Sequence, residues 1–309
     1  MIVASIGVGI GAIFSNGMME IAKKGIFNPE MFYFEEVMVI FAAVMLADIV
    51  LLDFFNNIGL PTSTTISIVF ELLGASVGVA FVKELKEKDR LLHVIDGVTE
   101  YINTGKVGQV ISAIFVSVFI AFVVGSFVQF ITRIIFTFNF ERRMRYFSGI
   151  VGGISLTALS YFLVIKGLSG LSFIHKEQLD WIEQNTGLLL GIFFVCFVIL
   201  GQILYWCKIS VWRVIILSGT FSLAMAFAGN DLVNFIGVPV AAWDSFQLWE
   251  AAGTPEQSMT MEALRENVQT PQFFLIIAGA LMILTLWFSK KSLHVMQTEM
   301  KLSQQGGGK

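Results

Sequence analysis

Val214–Trp243 reads VIILSGTFSLAMAFAGNDLVNFIGVPVAAW, an apolar run whose single charge is Asp231. A helix rises about 1.5 Å per residue and a bilayer core is about 30 Å thick, so this run is long enough to cross a membrane. Asp231 would then lie near the midplane. An ionisable group there costs about 2.5–3.5 kcal/mol on insertion scales, which makes it a functional candidate by default. It also suggests a substrate that is itself an ion.

The rest of the chain fits that environment. Of 309 residues, 56% are hydrophobic and 14% charged, and the mean hydropathy is +0.78. A soluble domain carries about 25% charged residues, so a polytopic membrane protein is expected. The net charge of −3 leaves no basic surface for nucleic acid. Cys196 and Cys207 fall in or at the end of an apolar segment and read as membrane-embedded thiols. His93, His175 and His294 lie far apart, so no zinc-like cluster is expected. The N-terminus lacks a charged n-region and a cleavage site, so no signal peptide is read.

Apolar blocks separated by polar loops give the organisation: Ile2 to about Met18, Val37–Phe55, Ser63–Val82, Val107–Thr132, Tyr146–Ile165, Gly187–Cys207, Val214–Trp243 and Phe273–Phe288. Eight such blocks predict an all-α polytopic fold, because barrel strands would be shorter and would alternate polar with apolar. The expected divisions are 1–82, a polar surface segment 83–106, membrane helices over 107–288, and a polar tail 289–309. The bias of Arg142, Arg143, Arg145, Lys208, Arg213, Lys290 and Lys291 puts that tail in the cytoplasm; Lys23 and Lys24 depend on how the first blocks cross. The closing Gln-Gln-Gly-Gly-Gly-Lys reads as a flexible linker.

Two motifs carry chemistry. Asn230, Asp231 and Asn234 share one arc of a helix, flanked by Gly229, Gly237 and Pro239, where a helix can break. Carboxylate, amide and freed carbonyl oxygens suit a hard cation such as sodium; the bland alternative is a hydrogen-bonded cluster that holds helices together. Gly59-Leu60-Pro61-Thr62-Ser63-Thr64-Thr65 opens the third block with a proline and consecutive hydroxyls, the signature of a helix N-terminus. Its free N–H groups and dipole favour an anion, although an ordinary Ser/Thr cap has the same composition. Asp48, Asp53 and Glu71 are further intramembrane acids, candidates for an ion relay or for pairing with each other or with interfacial Lys/Arg. The small residues Ser148, Gly149, Gly152, Gly153 and Ser155 suit close helix packing. No phosphate-binding Gly-rich loop, no GxSxG and no His beside a nucleophile appears, so no enzyme is expected.

Together the two motifs resemble the PiT family of inorganic phosphate transporters. Ala228–Gly237 is similar to that family's Gly-Ala-Asn-Asp-Val-Ala-Asn-Ala motif, and Gly59–Ser67 to its Gly-Leu-Pro-Val-Ser-Thr-Thr-His-Ser motif. The form here looks like a Bacteroidetes-type branch. The resemblance implies an inverted-repeat secondary transporter moving phosphate with sodium or a proton, in the bacterial inner membrane, with no bound cofactor. It implies that Asn230, Asp231 and Asn234 belong to the ion and phosphate site, and that Ser63, Thr64 and Thr65 line phosphate or sodium. The partners are then inorganic phosphate, sodium or a proton, and the bilayer; a homodimer is left open. Ile66 replaces the family's His, and Gly-Ala is inverted to Ala228-Gly229. The family carries each motif twice, whereas each occurs once here. A second Asn-Asp motif is therefore expected before Met1 and a second Pro-Ser-Thr-Thr after Lys309, making this chain a piece of a longer transporter. Another oxyanion such as sulfate, or a non-transporting membrane scaffold, are the alternatives.

Overall fold

In lipid a backbone must satisfy its own hydrogen bonds, so long apolar runs become helices. The structure, a computed structural model, describes residues 1–14, 25–87, 97–136, 140–163, 176–256, 258–265 and 271–303. The helices are α1 (Ile2–Phe14), α2 (Phe34–Ile58), α3 (Thr64–Glu87), α4 (Thr104–Phe136), α5 (Phe140–Tyr161), α6 (Lys176–Gln184), α7 (Thr186–Trp206), α8 (Val211–Ala226), α9 (Leu232–Ala252), α10 (Gln272–Phe288) and α11 (Lys290–Ser303). Among the described residues β pairing is limited to two isolated bridges, Phe27 with Ile102 and Tyr33 with Thr260. Among the described residues five helices are long and apolar enough to span a membrane, and Ile2–Phe14, Gly149–Tyr161 and Gln272–Phe288 are shorter apolar helices. The protein is an all-α polytopic membrane protein, as its apolar blocks predict.

The element boundaries differ in detail from the apolar blocks. Val214–Trp243 is not α-helical throughout: α8 ends at Ala226, a π-helical turn covers Phe227–Asp231, and α9 starts at Leu232. Within the polar stretch 83–106, Lys83–Glu87 extends α3, residues 97–101 are helical and Thr104 begins α4; 88–96 lie outside the described residues. The polar tail is helical through Ser303. Lys23 and Lys24, the end of the first block at Met18, and the Gly-rich terminus 304–309 also lie outside the described residues.

The chain divides into two compact units. One contains Gln109–Gly229 with Ile2–Ser15. Here α1 packs on α8 and α5 on α7 through small residues. A Cβ on Gly7 would lie 2.6 Å from the Phe221 carbonyl, and one on Gly153 would run into the Val198 side chain. Glycine lets these backbones approach closely, which is how helices associate where burial from water supplies no drive. Gly149, Gly152 and Gly153 of α5 thus pack as expected, while the Ser148 side chain lies outside the described residues. Most of α4 (109–136) also belongs to this unit, and its most apolar stretch is exposed on every side, as a lipid-facing helix would be.

The other unit contains Asn16–Gly108 and Asn230–Lys309. Its centre is α2 against α3, with α9 packed on both, α10 on α9, and α11 on α2. Val37, Phe41, Val44 and Asp48 form one buried stripe of α2, at helical spacing. Ile68, Leu72, Ser76 and Ala80 do the same on α3, and Val238, Ala241 and Ser245 on α9. Val39, Leu46, Val50 and Phe54 on α2 point outward, as lipid-facing side chains do.

Candidate functional site

The second unit holds Gly59–Thr65 and Asn230–Asn234, and its register can be read from two contacts. Lys83 Nζ pairs with Glu36 Oε2 at 2.9 Å, so the C-terminal end of α3 meets the start of α2 and the two helices are antiparallel. Phe34 stacks on Trp249 with ring centroids 4.9 Å apart, so the end of α9 meets the same start. Helices α3 and α9 therefore run in the same direction, and their N-termini lie at the same end of the unit. Asp48 stands twelve residues beyond Glu36, and Glu71 twelve before Lys83, which puts them at one level. Counting fourteen residues from the Phe34–Trp249 stack sets Asp48 level with Phe235, next to Asn234.

The turn between α2 and α3 is built by glycine and proline. Gly59 adopts the left-handed region at φ 77°, which costs a residue without Cβ nothing. Its N–H donates to the Asn56 carbonyl at 3.2 Å and the Leu60 N–H to Phe55 at 3.0 Å, closing α2. Pro61 follows, and Ser63 caps α3. The Ser67 N–H donates to the Ser63 carbonyl at 3.0 Å, and the Ile66 N–H reaches Ser63 Oγ at 3.4 Å. Thr64 Oγ1 is buried and has no hydrogen-bond partner among the described residues. Thr65 follows in the same first turn. This helix N-terminus thus presents an uncommitted Thr64 hydroxyl.

The Asn-Asp motif is placed by its backbone. Asn230 and Asp231 close the π-turn that contains Gly229, and Asn234 lies in the first turn of α9. π-Turns widen the helix and free carbonyls, and they recur at functional sites. The expected breaks at Gly237 and Pro239 do not interrupt the chain: α9 runs through both. A helix at membrane depth tolerates an internal proline when its surroundings satisfy the freed carbonyl, and the departure from α geometry falls instead at Gly229.

The three further acids separate. Asp53 is exposed, pairs with Lys291 of α11, and accepts a hydrogen bond from Asn57 Nδ2 at 2.9 Å. Asp48 is 8% exposed, with Oδ1 lacking a partner among the described residues. Both carboxyl oxygens of Glu71 are likewise buried and unpartnered there. Glu71 thus meets the level of Asp48, not of Asp53, because the register of the hairpin decides which acids face each other.

At the opposite end of the hairpin Lys83 is enclosed. Its ammonium donates to Glu36 and to the Met31 carbonyl at 3.0 Å, and lies 4.4 Å from the Tyr33 ring centroid and 5.6 Å from that of Tyr101. Glu36 also accepts the Tyr33 N–H at 2.8 Å, forming a capping box. Neither this latch nor the Asp53–Lys291 pair follows from the motifs. The antiparallel count from Pro61 could have found the first; nothing local signals the second.

The described residues contain no group of three or more His, Cys, Asp or Glu able to hold a metal ion. No curated protein and no solved structure matches the chain. The sequence profile of the Phosphate transporter family matches residues 1–301, the family whose two motifs the chain resembles. That is a family of transporters rather than enzymes, and its substrate is phosphate. With five helices among the described residues long and apolar enough to span a membrane and a match over residues 1–301, the chain belongs to the phosphate transporter family.

Proposed function

We propose that this protein carries inorganic phosphate across a bacterial inner membrane by symport with sodium or a proton. The observation that carries the reading is the common location of the two motifs: the hydroxyl-capped start of α3 and the Asn-Asp turn at the start of α9 lie at one end of one helical unit. Phosphate is a mono- or dianion, and an unpaired anion cannot enter a low-dielectric site cheaply. The first turn of α3, with Ser63, Thr64 and Thr65, supplies donors and the positive end of a dipole. Asn230, Asp231 and Asn234 supply oxygen ligands for the cation that offsets the charge. An empty or fully loaded site is then near neutral and can change sides, while a half-loaded one cannot, which couples the two fluxes. Broken helices near the midplane of secondary transporters commonly serve such sites.

Labelled phosphate uptake into proteoliposomes, wild type against Asp231→Ala, tests the site. Uptake should fall to background in the variant with the helical content unchanged. Undiminished uptake would remove Asp231 from the site. Competition by sulfate as strong as by unlabelled phosphate would assign the site to oxyanions in general.

A further inference from the structure

Asp48 and Glu71 have no part in the phosphate site just described, and their setting is unlike that of the other acids. Asp48 continues the buried stripe of α2, where every preceding member is apolar. Its Oδ1 and both Glu71 oxygens are shut off from solvent without a hydrogen-bond donor among the described residues. The two residues share one level of the hairpin, counted from the Lys83–Glu36 contact.

Among the described residues, charges on the packed elements do not answer this pair. Lys83 is three turns away and held by Glu36. Lys291 is engaged by Asp53, nearer the turn, and His294 lies beside Gly59. Asp231 lies in the π-turn just before α9, and α9 itself carries Asp244 and Glu250 toward its other end, all acidic. Two carboxylates brought together in a low-dielectric interior without a counter-charge cannot both stay ionised. One proton held between them turns two unsatisfied acceptors into a donor and an acceptor joined by a strong O–H···O⁻ bond. A hard metal cation would call for about six oxygen ligands.

We propose that Asp48 and Glu71 form a carboxyl pair that binds one exchangeable proton between α2 and α3. On loading, the proton forms an O–H bond to one carboxyl and is accepted by the other. On release it returns to water and leaves two carboxylates, a state that needs another cation nearby. The proton site stands without the symport reading; only its use as a coupling proton rests on that reading.

Infrared difference spectroscopy on the purified chain in lipid vesicles, from mildly acidic to alkaline buffer, tests the pair. At neutral pH the wild type should show the C=O band of a protonated carboxylic acid that shifts down in D2O. The band should disappear in the double variant Asp48→Asn/Glu71→Gln. In each single variant it should move, because an amide replaces the carboxylate as acceptor. The amide I band reports whether each variant keeps its helices. If the double variant loses them, the single variants decide, and an unmoved band in both overturns the pair. A wild type without the band, or a folded double variant that retains it, does the same. Loss of the band on adding sodium at constant pH would give the site to sodium and overturn the proton assignment. Absent phosphate uptake with the band intact would sink the symport and leave the pair standing.

Discussion

The two units solve the membrane problem with different residues. In the unit of Ile2–Ser15 and Gln109–Gly229, the tight contacts are glycines: Gly7 against the backbone of α8, Gly149 and Gly153 against Val198 of α7. In the unit of α2, α3 and α9, the notable interior groups are polar: Asp48, Glu71, Thr64 and the Glu36–Lys83 pair. Small residues let backbones touch and give a rigid scaffold. Polar groups at the same depth are costly and survive where they meet an ion or each other. The contrast sets glycine packing in the first unit against the transport chemistry proposed for the second.

Substitutions can break that contrast, and the largest effect is expected at the Asn-Asp turn. Asp231→Asn keeps the shape and removes the charge, and phosphate uptake should drop to background while the melting temperature holds. In the glycine-packed unit the pattern should invert. Gly153→Leu forces a side chain into Val198 and should destabilise by about 1–3 kcal/mol, read as a lower melting temperature, with uptake per folded molecule preserved. A folded Gly153→Leu protein with abolished uptake would erase the division of labour.

Smaller effects sharpen it. Lys83→Met strands Glu36 among aromatic rings. Because the pair is 15% and 17% exposed, we expect a loss of about 1–3 kcal/mol, below the full penalty for a buried charge. Adding Glu36→Gln should recover part of it, and a double variant no better than the single would show that packing rather than charge holds the latch. Ser63→Ala removes a cap whose contact is 3.4 Å long, so stability should change by about 0.5–1 kcal/mol. The phosphate concentration for half-maximal uptake should rise; an unchanged value would take Ser63 out of the anion site. Smallest is Lys291→Ala. Its pair with Asp53 is exposed, and melting in low and high salt should show no measurable difference from wild type.

The membrane class was legible because hydropathy over a whole span is a summed signal that single residues cannot hide. The start of α3 at Thr64 was legible too, since Pro61 and Ser63 act through local geometry. What escaped depends on register. Which acid faces Glu71 follows from the tight turn at Gly59 and from the Lys83–Glu36 contact, both set by tertiary packing. Pro239 looked like a break, yet the helix passes through it, while the π-turn at Phe227–Asp231 has no residue signature beyond Gly229. The roles of Asn230, Asp231 and Asn234 rest on motif and backbone position.

The most direct measurement of the central claim is accumulation of labelled phosphate in proteoliposomes under an imposed inward sodium gradient, an imposed pH gradient, or neither. Symport predicts accumulation above the outside concentration under at least one gradient and simple equilibration with neither. Uptake that is indifferent to both gradients would contradict it.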